Sequence, residues 1–137
     1  MPKLKEGLYA LYLRRSRADV EQEALGQYET LAKHEEELTA FAKRNGYVLD
    51  EPYYKELVSG ERISARKEFQ KLMHKVSQGV YRGILVHDIS RLGRGSAMEY
   101  GWVLFTLTSN QVLIITPTKV YDPSNEDDAR YLNMEMF

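Results

Sequence analysis

The chain contains no cysteine, so disulfides, zinc ribbons and thiolate chemistry are excluded from it, and the composition fits a reducing compartment. No run of about twenty apolar residues occurs, so no segment reads as a membrane-spanning helix. The opening residues, Met1 to Glu6, lack the hydrophobic stretch of a secretory signal, and the expected location is the cytoplasm. Charge of one sign is not in excess either: 19 Lys and Arg face 20 Asp and Glu, for a formal net charge of -1. A domain that grips nucleic acid across its whole surface carries a basic patch or stripe, so any anion site here is local. A glycine-rich phosphate loop is also missing, because Ser59-Gly60 and Arg91-Leu92-Gly93-Arg94-Gly95 lack the spacing.

What is present is one domain of 137 residues, 43% of them hydrophobic, with enough length to bury a core. The apolar run Leu8 to Leu13 is too short for a helix alone and predicts a strand. A helical pattern extends from about Asp19 to Asn45, with Leu31, His34 or Glu35, Leu38, Phe41 and Ala42 recurring at three and four, and Asn45-Gly46 closes it. Tyr47 to Leu49 begins a second strand, and Val58 to Ser64 reads as a loop. A second helix, about Ala65 to Gln78, buries Phe69, Leu72, Met73 and Val76 and stops at Gly79. Gly83 to Asp88 is the clearest central strand, since Ile84, Leu85 and Val86 run unbroken as in a sheet covered on both faces. A third helix from Ser96 to Asn110 is expected to turn Met98, Trp102, Phe105 and Leu107 or Val103 inward, and Val112 to Thr116 gives a further buried strand. After Asp122-Pro123, Ser124 with Asp127 three residues on resembles a capping box. The last helix then runs to Phe137 with no stop signal, as expected of a helix cut in mid-course in a fragment of a longer protein.

This alternation predicts an α/β fold, a central, mostly parallel sheet with helices on both faces, whose sites lie at the carboxyl ends of the strands. Ser16 falls there, two residues after Arg14. With period two, Tyr12, Arg14 and Ser16 share one face while Arg15 and Arg17 point to the other, so Arg14 is the cation nearest the hydroxyl. Arg91 and Arg94 sit three apart in the exit loop of the central strand and face one way on a helical turn. Guanidiniums hold paired N–H donors that match two phosphate oxygens. Arg66 follows the Ser59-Gly60 loop, which would let it swing towards the strand ends. A single arginine is as readily a surface salt-bridge partner, but two at one strand exit opposite Ser16 weaken that reading. The set reads as a serine nucleophile for a phosphodiester.

Two other chemistries fit less well. A serine hydrolase needs a histidine base held by a carboxylate, and His34, His74 and His87 give no clear triad, each being more readily structural; His34 draws notice because its helix follows the nucleophile loop. Metal-dependent phosphoryl transfer needs clustered carboxylates, and only Asp88, with Asp50 and Glu51 at another strand end, stands in place. Arginine is therefore the expected stabiliser of transition-state charge, with neither cofactor nor metal.

Tyr12-Leu13-Arg14-Arg15-Ser16, Ser59-Gly60 leading to Arg66-Lys67-Glu68-Phe69, and Ile89-Ser90-Arg91-Leu92-Gly93-Arg94 together resemble the catalytic domain of the serine recombinases, the group of resolvases, invertases and large serine integrases. The likeness covers nearly the whole chain in the right order, and residues 1–137 are expected to form one such catalytic domain. The Ser59 to Arg66 spacing, and Ile115 to Pro123 after the last strand, look more like the large integrases. The resemblance implies that Ser16 attacks a DNA phosphodiester to form a 5′-phosphoserine link, with Arg14, Arg66, Arg91 and Arg94 binding and activating the phosphate. It implies DNA attachment sites, self-association into dimers and tetramers and a recombination directionality factor as partners, in a bacterial host cell. Two positions depart from the family pattern. Ser90 stands where many members have an aspartate, with Asp88 a substitute expected to point the opposite way, and His34 stands where a glutamine is common. Rival expectations are a non-catalytic oligomerisation module of the same fold and a serine-dependent DNA nuclease.

Overall fold

The computed structural model describes residues 7–15, 21, 30–56, 66–93 and 97–136, with side chains in the last segment from Glu99 onward. Strand β1 (Leu8–Arg14) is the spine of the sheet. Its far half is buried on both sides, because alternate residues feed two cores: Ala10 and Tyr12 enter one, Tyr9, Leu11 and Leu13 the other. Helix α1 (Thr30–Asn45) lays Leu38 and Ala42 on the second core. It ends where Gly46 takes a positive φ of 77°, as the sequence predicts.

Strands β2 (Val48–Leu49) and β3 (Tyr54–Glu56) both pair with β1 in parallel, β2 at its start and β3 at its end. The sequence reading contains no β3. Helix α2 (Lys67–Ser77) buries Phe69, Leu72, Met73 and Val76, the stripe its periodicity predicts. Strand β4 (Tyr81–Leu85) lies between β1 and β5 (Leu113–Ile115), parallel to both. The final strand β6 (Val120–Tyr121) runs antiparallel to β5 and was not expected. The sheet order is β2-β1-β4-β5-β6, with β3 beside β1. Helix α1 covers one face, and α2, α3 (Ala97–Ser109) and α4 (Glu126–Met136) supply the core of the other. The expected α/β sheet with helices on both faces is the observed one.

Three expectations are corrected. Helix α3 turns Tyr100, Val103 and Leu107 inward and leaves Trp102 and Phe105 exposed, at 51% and 71%. The side chain of Met98 lies outside those described. Helix α4 is capped one residue later than predicted: Asn125 Oδ1 accepts the Asp128 amide at 3.0 Å, while Ser124 forms a turn on Asp122 Oδ1 at 2.9 Å. Strand β4 ends at Leu85, before Asp88, and a 3₁₀ turn at Ile89–Arg91 follows.

Candidate active site

The carboxyl end of β1 meets that 3₁₀ turn, and three arginines gather there from separate elements. Arg14 is the last residue of β1, Arg66 precedes the first turn of α2, and Arg91 ends the 3₁₀ turn. All three are buried, Arg66 fully. Arg14 donates from Nε to the Arg91 carbonyl at 2.8 Å, and from Nη2 to the Ser90 carbonyl at 2.6 Å and the Gly93 carbonyl at 3.3 Å. Arg66 donates from Nη1 to the Leu92 carbonyl at 3.1 Å and the Arg91 carbonyl at 3.4 Å, and from Nη2 to the Tyr100 hydroxyl. Its guanidinium lies over the Phe69 ring, 4.7 Å from the centroid. Arg91 answers by donating to the Arg14 carbonyl at 3.2 Å. The two segments are thus cross-stitched at the backbone.

Of the two arginines for which a salt bridge was the alternative, Arg91 does pair with a carboxylate, Asp88 Oδ2 at 3.2 Å, though from a buried position, and Arg94 lies outside the described residues. Arg14 and Arg66 form no ion pair with a carboxylate among the described residues. The swinging Arg66 expected from its loop is instead a fixed, enclosed cation. Burial first, then the charge of Arg66 and more weakly that of Arg91, lowers the Arg14 pKa from its ordinary value, against the opposing pull of Tyr12 and Tyr100. A guanidinium stays charged at neutral pH regardless. Positive charge is therefore concentrated on carbonyl dipoles, which neutralise it only in part. Such a cluster favours an incoming divided anion.

Asp88 does not point away, because the strand that would have turned it has already ended. Its Oδ2 accepts Arg91 Nε at 3.2 Å and His87 Nδ1 at 2.9 Å, and its Oδ1 accepts the Ser90 hydroxyl. Burial opposes ionisation here, but hydrogen bonds from Ser90 and His87 and the Arg91 charge outweigh it and push the Asp88 pKa down to about 2. A carboxylate therefore does reach Arg91, from position 88. His34 is buried on α1 and stacks on His87, ring centroids 3.7 Å apart. Ser16 and Arg94, with the Ser59-Gly60 loop, lie outside the described residues. His74 is exposed on α2.

Two residues of this region escaped the sequence reading. Glu56, 4% exposed on β3, accepts the Tyr12 hydroxyl at 3.2 Å and the Phe69 and Glu68 amides at 3.1 and 3.3 Å, so it caps the helix that Arg66 precedes. Tyr100 is fully buried and holds Arg66. Its spacing with Val103 and Leu107 was the available signal.

Buried arginines thus gather at the carboxyl edge of the mostly parallel sheet, the edge at which α/β domains place their sites. The chain belongs to the family of resolvase N-terminal domains, whose model matches residues 9–136. Its fold is shared with the N-terminal catalytic domain of TP901-1 integrase, at TM-score 0.67 and 18% identity over 93% of this chain and 90% of that one. A resolvase family site-specific recombinase from Streptococcus pneumoniae superposes at 0.69 with 23% identity, covering 94% and 85%. The C-terminal catalytic domain of ISC1926 TnpA, an IS607-like serine recombinase, gives 0.63 and 24%, covering 80% and 70%. Among the described residues no helix is long and apolar enough to cross a membrane.

Proposed function

We propose that this chain is the catalytic domain of a serine site-specific DNA recombinase of the large integrase type. Ser16 attacks a DNA phosphodiester; the Ser16 oxygen–phosphorus bond forms, the bond to the 3′ oxygen breaks, and a 5′-phosphoserine link and a free 3′-hydroxyl result. The hydroxyl of an exchanged strand reverses the step, so no external energy source is needed. Arg14, Arg66, Arg91 and Arg94 stabilise the charge that develops on the phosphoryl oxygens. The observation that carries this reading is the convergence of buried Arg14, Arg66 and Arg91 at the end of β1, Arg14 and Arg66 bonded to main-chain carbonyls and Arg91 held by Asp88. At an effective dielectric near 20, one unit charge at 4 Å contributes roughly 4 kcal/mol, so a few preorganised guanidiniums supply a large share of the barrier reduction.

DNA attachment sites are the substrate in this reading and a second copy of the chain is the first partner. The exposed Trp102 and Phe105 on α3, with Tyr131 and Met134 on α4, give self-association an apolar surface. A recombination directionality factor and a bacterial cytoplasm belong to the same proposal. The test joins the chain at its C-terminus to a DNA-binding domain of known target, supplies supercoiled DNA with that target, and looks after denaturation for protein covalently linked to DNA 5′ ends. The expected adduct disappears in Ser16→Ala. Release of free 5′-phosphate with no adduct would favour a nuclease, and an adduct that survives Ser16→Ala would remove Ser16 from the role.

A further inference from the structure

His87 has no place in the chemistry above, yet three side chains engage it at the rim of the site, His34, Glu37 and Asp88. It follows β4 by two residues, and helix α1 presents two groups to it. The His34 ring stacks on its face at 3.7 Å, with planes only 11° apart, and Glu37, one turn on, brings Oε2 to 3.9 Å from Nε2. Its other nitrogen, Nδ1, lies 2.9 Å from Asp88 Oδ2. Asp88 is ionised and accepts only, so Nδ1 carries the hydrogen of that bond. The same Oδ2 accepts Arg91 Nε at 3.2 Å, and Arg91 in turn donates to the Arg14 carbonyl.

We propose that His87 is a positioning residue: clamped between α1 and Asp88, it fixes the carboxylate that sets the plane of the Arg91 guanidinium. The Asp88 side chain is 42% exposed and held by three groups, Ser90 on Oδ1 and His87 and Arg91 on Oδ2, whereas the Arg91 side chain is only 10% exposed and has little room to adjust. His34 and Glu37 fix the ring from the helix side, and the donor at Nδ1 transmits that order to Asp88. A first neighbour of an arginine that itself meets a phosphate acts in this way, by narrowing the angles the guanidinium visits. The role of Arg91 at a phosphate rests on the proposed function; the clamp on its Nε does not.

Two substitutions separate the parts of His87. His87→Phe keeps a flat ring against His34 and removes the donor, while His87→Asn keeps a donor near the Nδ1 position and removes the ring. On the chain itself, exchange of the Arg91 Nε proton, read by ¹⁵N NMR, is expected to accelerate about tenfold in His87→Phe, the loss expected for one charge-assisted hydrogen bond, and about threefold in His87→Asn, which keeps the donor but loses the hold of α1 on it. Unchanged exchange in His87→Phe, or equal acceleration in both variants, overturns the proposal. In the DNA-linked form, His87→Phe is expected to slow adduct formation about tenfold with DNA affinity unchanged, and His87→Asn to slow it only about threefold. Adduct formation at the parent rate in His87→Phe overturns the positioning role. Failure of the parent itself to form a Ser16-dependent adduct overturns the recombinase reading instead, and the NMR experiment still decides the clamp.

Discussion

Removing the Glu56 carboxylate should weaken the whole domain, and the structure says by how much. Glu56 comes from the short strand β3, is 4% exposed, and accepts three hydrogens: the Tyr12 hydroxyl and the Glu68 and Phe69 amides. The side chain of Arg66, at the N-cap position of α2, makes no capping bond, so Glu56 does that work from another element. In Glu56→Ala the buried Tyr12 hydroxyl is stranded, at about 1–2 kcal/mol. Loss of the cap and of the carboxylate at the positive end of the helix dipole adds about 1–2 kcal/mol. Release of a buried charge into water offsets part of this. The net expectation is about 2–3 kcal/mol, a fall of roughly 8–12 °C in Tm for a domain of this size. Glu56→Gln retains one acceptor oxygen and should cost about half as much. Urea unfolding followed by circular dichroism measures both, with the slope m unchanged if the native fold is kept. A Glu56→Ala variant within about 0.5 kcal/mol of the parent, or a Gln variant weaker than Ala, would refute the capping argument.

Gly93 packs against the end of α4 so closely that a Cβ would sit 2.8 Å from Met136 Cα and 3.3 Å from the Glu135 carbonyl. Gly93→Ala should therefore cost about 1–3 kcal/mol in the same unfolding assay, since backbone rather than a flexible side chain must give way. Asp88 has a folded pKa depressed from 3.8 to about 2, so its stabilisation is present above about pH 4 and is lost as pH falls towards 2. With the side chain 42% exposed, solvent screening reduces the effect to about 1 kcal/mol, and Asp88→Asn should flatten that acid limb of the stability profile. An acid limb identical in Asp88→Asn would exclude the group. Replacing Trp102 and Phe105 by Gln should leave monomer stability within about 0.5 kcal/mol while weakening self-association at least about tenfold in sedimentation, and unchanged association would reject this face.

How far the sequence speaks depends on whether a residue's partner is local. Ile84, Leu85 and Val86 announce a covered strand by composition, and the α2 stripe and Gly46 announce a helix face and its end through spacing and backbone freedom. Tyr54-Lys55-Glu56 announces nothing, because two of its residues are charged; it becomes a strand only by pairing with the far half of β1. Helix α3 is apolar nearly all round, so periodicity could not choose between Tyr100 and Trp102, and packing on the sheet did. At the site, the placement of Arg14 and Arg91 at strand ends was legible as residue type and position. Where the donors go was not, because the acceptors are main-chain carbonyls of Ser90, Arg91, Leu92 and Gly93, which leave no trace in side-chain identity. The same carbonyls carry the mechanistic consequence. In the proposed reaction a phosphate reaching Arg14 or Arg66 would meet guanidiniums already oriented by these carbonyls, with Arg66 Nε still without a hydrogen-bond partner.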